Sequence, residues 1–585
     1  MRLRILERII VLGLAVIGWG LFSAQVIQGH RYRLQSEKNR TRLIHLPAAR
    51  GAILDRHGVP LAEDRITFEL AALPQEISDP PETWKELSPL IGISAENLAA
   101  KYKKGFQAKF SPVCLVRNLP RETAFRLEEE RGRLPGILIR PVPERSYPIG
   151  PAVGGVVGYL GLIAPAELTK LKSYGYTFRD RVGKDGLEQQ YDSLLRGRDG
   201  GLHVEVNAQG KLVQQLGFLR PKRGRQIKVS IDARLQETAY RLLQGGEGAV
   251  VVMDCKTGEV LCLASSPAFD PNAFIDSGRQ AEVRSLMRDP ARPMFNRAFR
   301  AAVPPGSTFK AAVAYEALKR GKISPATTFE CRGGLYPGRP IFRCWAKEGH
   351  SFQTVREGLQ HSCNVFFYNT GRRLGVAGVA EAARQFGLGK ATRVDLPREV
   401  KGLVPDPEWM RRRMKLEWQE GDTLSFALGQ SALQATPLQM NLLFAGIASG
   451  GWMPSPHLLI GVEKEPPGEE ASPLVWEAPA RTEKGMQVRL DPSALATVKE
   501  GLELVVNSDT GTGRLARLPN LRVAGKTGTA QVSQGLPHAW FCGYAPAESP
   551  KFTLVVFLEH GGKGGLYAAR IAGSLLVAMK EMEYL

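Results

Sequence analysis

Ser307 and Lys310 stand three residues apart in Val303-Pro304-Pro305-Gly306-Ser307-Thr308-Phe309-Lys310. Two prolines and a glycine stop whatever precedes them. Phe309, Val313 and Ala317 then recur at near-helical spacing, with Leu318 beside them, until Gly321. The spacing predicts a helix over 308–320 with Ser307 at its N-terminus. Free backbone N–H groups and the positive end of the helix dipole favour negative charge there. Lys310 falls on the same face as Ser307. A serine with an amine beside it at such a helix end is a candidate activated nucleophile. The plain alternative is a helix cap, for which serine is an ordinary choice.

Two further stretches carry chemistry. Ser362-Cys363-Asn364 follows a helical segment at 355–360 and precedes another at 365–373. Lys526-Thr527-Gly528-Thr529-Ala530 follows the apolar 521–525 and reads as an edge strand. S-x-x-K, S-x-N and K-T-G in this order are the signature of penicillin-binding proteins and class A β-lactamases. The chemistry is acyl transfer through a serine ester. Lys310, its pKa lowered beside Lys526, takes the Ser307 proton. Ser362 and Asn364 relay protons and bind the substrate amide. Lys526 and Thr527 hold a substrate carboxylate, and Gly528 lets the substrate backbone approach. The N–H groups of Ser307 and Thr529 form the oxyanion hole.

These groups need a scaffold. Residues 229–243 read as a strand and a helix, and 248–253 and 260–264 as a hairpin across Cys255-Lys256-Thr257-Gly258. Residues 539–544 and 552–558 form another apolar strand pair, and 567–582 an apolar helix. Antiparallel strands flanked by helices from both ends of the region make an α+β domain. Upstream, Glu144-Arg145-Ser146-Tyr147-Pro148 and the glycine-rich 154–161 read as a strand and loops outside an enzyme core, and 32–42 as a polar helical stalk. Residues 9–27 carry no charge over 19 residues, behind the basic Arg2, Arg4 and Arg8. That is long enough to span a hydrocarbon core of about 30 Å.

The 585 residues carry a net charge of +20, which suits an anionic surface. No nucleic-acid motif accompanies it. Seven cysteines exclude a complete disulfide framework. Cys114, Cys255, Cys262 and Cys542 sit in apolar, strand-like contexts, as core residues do. Cys331, Cys344 and Cys363 are polar-flanked and cluster around His350. Without a C-x-x-C pair, spacing alone leaves buried thiols or one disulfide with an odd thiol.

The chain resembles the class B penicillin-binding proteins and, within them, is most similar to penicillin-binding protein 2. The likeness rests on the three motifs and on Arg50-Gly51-Ala52-Ile53-Leu54-Asp55-Arg56, Tyr147-Pro148, Gly186-Leu187-Glu188, Gly421-Asp422, Gly429-Gln430, Ala435-Thr436-Pro437-Leu438-Gln439 and His538-Ala539-Trp540-Phe541. One departure is Cys363, where the family's S-D-N form of the second motif has Asp. The resemblance implies a cytoplasmic tail (1–8), a transmembrane helix (9–28), an elongated mixed pedestal of dimerisation type (29–225) and a transpeptidase domain (226–585). It implies a single-pass protein of the inner membrane with the catalytic domain in the periplasm. It implies cross-linking of D-Ala-D-Ala stem peptides during cell elongation, with release of D-Ala, and acylation by β-lactams. A SEDS-type membrane glycosyltransferase and other elongation proteins are the implied partners, with no nucleic acid and no organic cofactor. Several relatives hold zinc near the active site through two Asp, one His and one Cys. Here Cys331, Cys344, His350 and Cys363 would hold one structural zinc ion, thiolates replacing both aspartates. The alternatives are a hydrolase of the same fold, carboxypeptidase or β-lactamase, and a β-lactam sensor.

Overall fold

The computed structural model describes the chain except residues 1, 33–40, 107–108, 110, 172, 174, 178–179, 208–211, 244, 337–340, 465–474 and 480–484. It divides into two compact units. One comprises residues 1–51, 64–145 and 196–224; the other comprises 52–63, 146–195 and 225–585. The single boundary expected at 225 is therefore one of several. Residues 52–63 and 146–195 pack with the C-terminal unit rather than with the rest of the expected pedestal.

The first unit begins with an apolar helix. Residues Glu7–Ile27 have a mean hydropathy of 2.1 and bury nothing, as a single membrane anchor requires. A three-stranded antiparallel sheet follows, in the order Thr41–Leu46, Gly200–Val206, Leu212–Leu219. Thr41 and Arg42 thus belong to a strand and not to a helical stalk; the stalk expected at 33–40 lies outside the described residues. A separate small core gathers Leu70, Trp84, Leu87, Leu98, Leu115 and Leu127 under helices Pro80–Ile91, Ala95–Gly105 and Arg121–Glu129. Cys114, on strand Val113–Leu119, is only half-buried.

The second unit is built on helix α1 (Ala233–Leu243), strands β1 (Glu247–Asp254) and β2 (Val260–Ser266), helix α2 (Lys310–Lys319), strands β3 (Phe329–Cys331) and β4 (Ser351–Gln353), helices α3 (Val355–Gln360), α4 (Asn364–Arg384), α5 (Pro437–Ala448) and α6 (Pro492–Asn507), strands β5 (Ala524–Ala530), β6 (His538–Ala545) and β7 (Phe552–Glu559), and helix α7 (Ala568–Glu581). The sheet order is β2-β1-β7-β6-β5, antiparallel throughout. Both faces are covered, so the strands read as unbroken apolar runs. Alternate residues serve different cores. Val250, Val252, Leu554 and Val556 pack with α1 and α7, whereas Val251, Met253, Val555 and Phe557 share the larger cluster with α2 and α5. The catalytic strand β5 is an edge strand, as its sequence predicts.

One expectation fails in part here. The glycine-rich 154–161 is strand and loop only in its second half: residues 158–159 are a loop and Leu160–Leu162 a strand, but Pro151–Val157 is a helix, with Pro151 in its first turn, where a missing N–H costs nothing. Val153, Val156 and Val157 join Tyr147 and Leu187 in the larger cluster, so this segment does belong to the enzyme core. Burial outweighs the low helix propensity of Gly154 and Gly155.

Candidate active site

Ser307 lies in a 3₁₀ turn, Gly306–Phe309, that leads into α2. The turn is fixed from behind by backbone. Gly306 has φ +56° and its N–H donates to the Gly429 carbonyl at 2.9 Å. A Cβ on Gly429 would lie 2.1 Å from the Gly306 oxygen, so only glycine fits there. Thr308 Oγ1 donates to the Pro305 carbonyl at 2.7 Å. Among the described residues the Ser307 hydroxyl makes no hydrogen bond.

Lys310, the first residue of α2, is wholly buried. Its Nζ donates to the Ser362 carbonyl (2.9 Å), to Asn364 Oδ1 (2.8 Å) and, at 3.4 Å, to Ser362 Oγ. The amine is therefore engaged with the second motif and not with Ser307, one turn away though that is. Burial lowers its pKa to about 8, against the pull of the nearby thiols of Cys344 and Cys363. Ser362 has φ +54°, in the left-handed region, between the end of α3 and the start of α4. Its N–H is held by the Leu359 carbonyl (3.1 Å), and Asn364 Nδ2 donates to the Arg343 carbonyl (3.1 Å).

Strand β5 supplies the opposite wall. Lys526 is also wholly buried, and its Nζ donates to the Thr527 carbonyl at 3.0 Å. Burial, and then the charge of Lys310, press its pKa well below the ordinary lysine value. Burial thus leads at both lysines, where the sequence reading credits Lys526 with lowering Lys310. A Cβ on Gly528 would meet the Pro305 oxygen and Thr308 Cγ2 at 3.0 Å each. The missing side chain lets the Ser307 turn approach β5; the sequence reading reserves that room for substrate. The Thr529 carbonyl accepts from Gln430 Nε2 (3.4 Å) and therefore faces the free edge, away from β6. The N–H of a strand residue points to the same side as its carbonyl, so the Thr529 N–H also faces that edge. Thr512 is a residue that no motif marks: Thr527 Oγ1 donates to its hydroxyl at 2.8 Å.

The second expected cluster also forms. Ligand atoms of Cys331, Cys344, His350 and Cys363 lie within 4.8 Å of one another, and all seven cysteines are free thiols. Cys331 ends β3, Cys363 precedes α4, and Cys344 and His350 lie in the connection between β3 and β4. His350 Nδ1 is 3.4 Å from Cys344 Sγ and 3.7 Å from Cys331 Sγ. Hydrogen bonds from Cys363, then His350, hold the Cys344 thiol well below its usual range, and Cys363 does the same for Cys331. The same contacts with Cys331 and Cys344, and then burial, raise Cys363, whose single S–H proton lies between the two. Burial opposes charge on His350, but its hydrogen bonds with Cys344 and Cys331 outweigh this and raise it. Two thiols poised as thiolates, a third within reach and one imidazole form a donor set that fits a closed tetrahedral zinc site.

Comparison with known proteins identifies the family. Residues 248–577 match the family model of the penicillin-binding protein transpeptidase domain, and residues 45–229 that of the penicillin-binding protein dimerisation domain. The chain is 33% identical to peptidoglycan D,D-transpeptidase MrdA of Acinetobacter baumannii, over 96% of this chain and 85% of the relative. Among solved structures it is similar to penicillin-binding protein PBP2 of Helicobacter pylori in complex with MreC, with TM-score 0.79, 29% identity and coverage of 93% and 99% of the two chains. It is also similar to a chain of a peptidoglycan synthase complex that coordinates polymerization and crosslinking, with TM-score 0.73, 32% identity and coverage of 99% and 98%. The catalytic unit and the dimerisation region each find their counterparts, and the chain belongs to the penicillin-binding protein transpeptidases.

Proposed function

We infer that the chain is a peptidoglycan D,D-transpeptidase of cell elongation, a serine acyltransferase acting on stem peptides that end in D-Ala-D-Ala. The observation that carries this reading is the convergence of buried Lys310 on Ser362 and Asn364, between the Ser307 turn and the edge of β5. Ser307 Oγ attacks the carbonyl of the penultimate D-Ala. Its proton goes to Lys310 Nζ, directly or across Ser362 Oγ, since an amine with a pKa of about 8 is a competent base near neutrality. The N–H groups of Ser307 and Thr529 stabilise the oxyanion. The proton returns to the leaving nitrogen, D-Ala departs, and an ester remains on Ser307. An acceptor amine then attacks that ester, gives up its proton along the same route and frees the serine. Lys526 and Thr527 receive the terminal carboxylate, whose charge restores that of the buried Lys526.

Cys331, Cys344, His350 and Cys363 would hold one zinc ion, which when bound supplies a cross-link between the end of β3 and the loop carrying Ser362 and Asn364. The proposed location is the inner membrane with the catalytic unit in the periplasm; the apolar helix at Glu7–Ile27 supports the single-pass anchor in this reading. A membrane glycosyltransferase of the SEDS type and an MreC-like elongation protein are the proposed partners, the latter by analogy with the Helicobacter pylori complex. The test is labelling with a fluorescent penicillin. Wild type gives a stable adduct and Ser307→Ala none; an adduct that survives in Ser307→Ala sinks the assignment.

A further inference from the structure

The loop at residues 508–512 grips the end of α3. Gln360 Nε2 donates to Thr510 Oγ1 (2.7 Å) and Ser508 Oγ (3.0 Å). The Gln360 carbonyl accepts from Thr512 N–H and from Thr512 Oγ1, each at 3.4 Å. On its other side the Thr512 hydroxyl accepts the proton of Thr527 Oγ1 at 2.8 Å. One threonine therefore touches both the helix that ends at the Ser362 loop and the strand that holds the substrate's terminus.

We propose that Thr512 is a positioning residue that lets the clamp bind a substrate's free carboxylate; this rests on the reading of Thr527 as part of the carboxylate clamp. A threonine hydroxyl has one proton and two lone pairs. In this structure the Thr527 proton is committed to Thr512, and the Thr512 proton points along a long contact to the Gln360 carbonyl. A carboxylate only accepts, so Thr527 must turn its proton to the ligand. Thr512 then turns its own proton onto Thr527 Oγ1, exchanging a 3.4 Å contact for a 2.8 Å one. The reversal leaves no hydroxyl unpaired. A terminal carboxamide offers an N–H to Thr527 and needs no reversal. Thr512 also selects the rotamer of Thr527. Without a polar partner at 512, a rotation of about 120° exchanges hydroxyl and methyl and removes the hydroxyl from the clamp.

The experiment compares wild type, Thr512→Val and Thr512→Ser on two thioester substrates, one whose leaving group carries a free carboxylate and its carboxamide counterpart. In Thr512→Val, kcat/KM on the carboxylate substrate falls about tenfold, the effect of one hydrogen bond to a charged partner. The loss appears mainly in KM, and turnover of the carboxamide stays within about twofold. Thr512→Ser restores the wild-type preference. Should the valine variant lose its cooperative melting transition, Thr512→Ala carries the same comparison. An unchanged preference, or an equal loss on both substrates, overturns the proposal while leaving the Ser307 mechanism standing. Failure of wild type to turn over either substrate overturns both.

Discussion

The five-stranded sheet and the segment at residues 329–363 solve the same problem by opposite means. All eight residues of β6 are buried, and the sheet's two faces feed two large apolar clusters. The 329–363 segment has two three-residue strands and leaves Ile341, Trp345 and Phe352 half to two-thirds exposed. Their thiols differ accordingly. Burial pushes Cys255 and Cys262 in and beside the sheet up to about 12, which keeps them inert, small apolar groups. In the segment, hydrogen bonds among neighbours push Cys331 and Cys344 down. The same residue type is filler where apolar area is plentiful and a candidate cross-link where it is scarce. A proposed cross-link there would add to the hydrogen bonds that already hold Ser362 and Asn364 against Lys310.

Three measurements would break or sharpen that contrast. The largest effect is expected from Cys344→Ser. Wild type is expected to bind close to one zinc per chain and the variant to lose it, with hydrogen exchange speeding up across 329–363 and not in β6. Penicillin acylation slows about 10–100-fold, the usual scale for disturbing a metal site's support. Wild-type protein purified without zinc, with three titratable thiols in this segment, would remove the cross-link half of the comparison. Next, Leu554→Ala in β7, at a fully buried position, costs about 2–5 kcal/mol of global stability in denaturant unfolding and leaves zinc content unchanged. A change in metal content would show that the two regions are not independent. The smallest effect, about tenfold between pH 7 and pH 8, concerns Lys310, which burial brings to about 8. Below that pH the amine is protonated and cannot take the Ser307 proton. Acylation should therefore climb about tenfold per pH unit toward pH 8 and level off above it. A rate flat from pH 6 to 9 counts against Lys310 as the base.

The candidate catalytic residues were legible because their chemistry fixes residue type and spacing together. Ser307, Lys310, Ser362, Asn364 and Lys526 each fall in the expected turn, helix or edge strand. The hairpin of β1 and β2 and the pair of β6 and β7 were legible for a different reason: strands buried on both faces are apolar without interruption. What escaped depended on distant partners. The helix at Pro151–Val157 forms from glycine-rich sequence because a large core receives its valines, and periodicity in seven residues cannot announce that. Thr512 lies 15 residues before Thr527 in a loop with no pattern, and its only signal is a hydroxyl pair visible in space. The engagement of Lys310 with Ser362 and Asn364 instead of Ser307 was equally out of reach. Helical spacing places two side chains on one face but does not choose among the acceptors that the fold brings to an amine.

The backbone contact between Gly306 and Gly429 has a consequence for inheritance. A Cβ at Gly429 would lie 2.1 Å from the Gly306 oxygen, so no single-codon change at 429 reaches a tolerated side chain without shifting the turn that carries the nucleophile. For a lineage exposed to an acylating antibiotic, the mutational paths that would tilt Ser307 away from the drug are closed at this contact. Variation at this contact is therefore barred, and an allele that excludes the drug by changing the walls of the site must still admit the stem peptide.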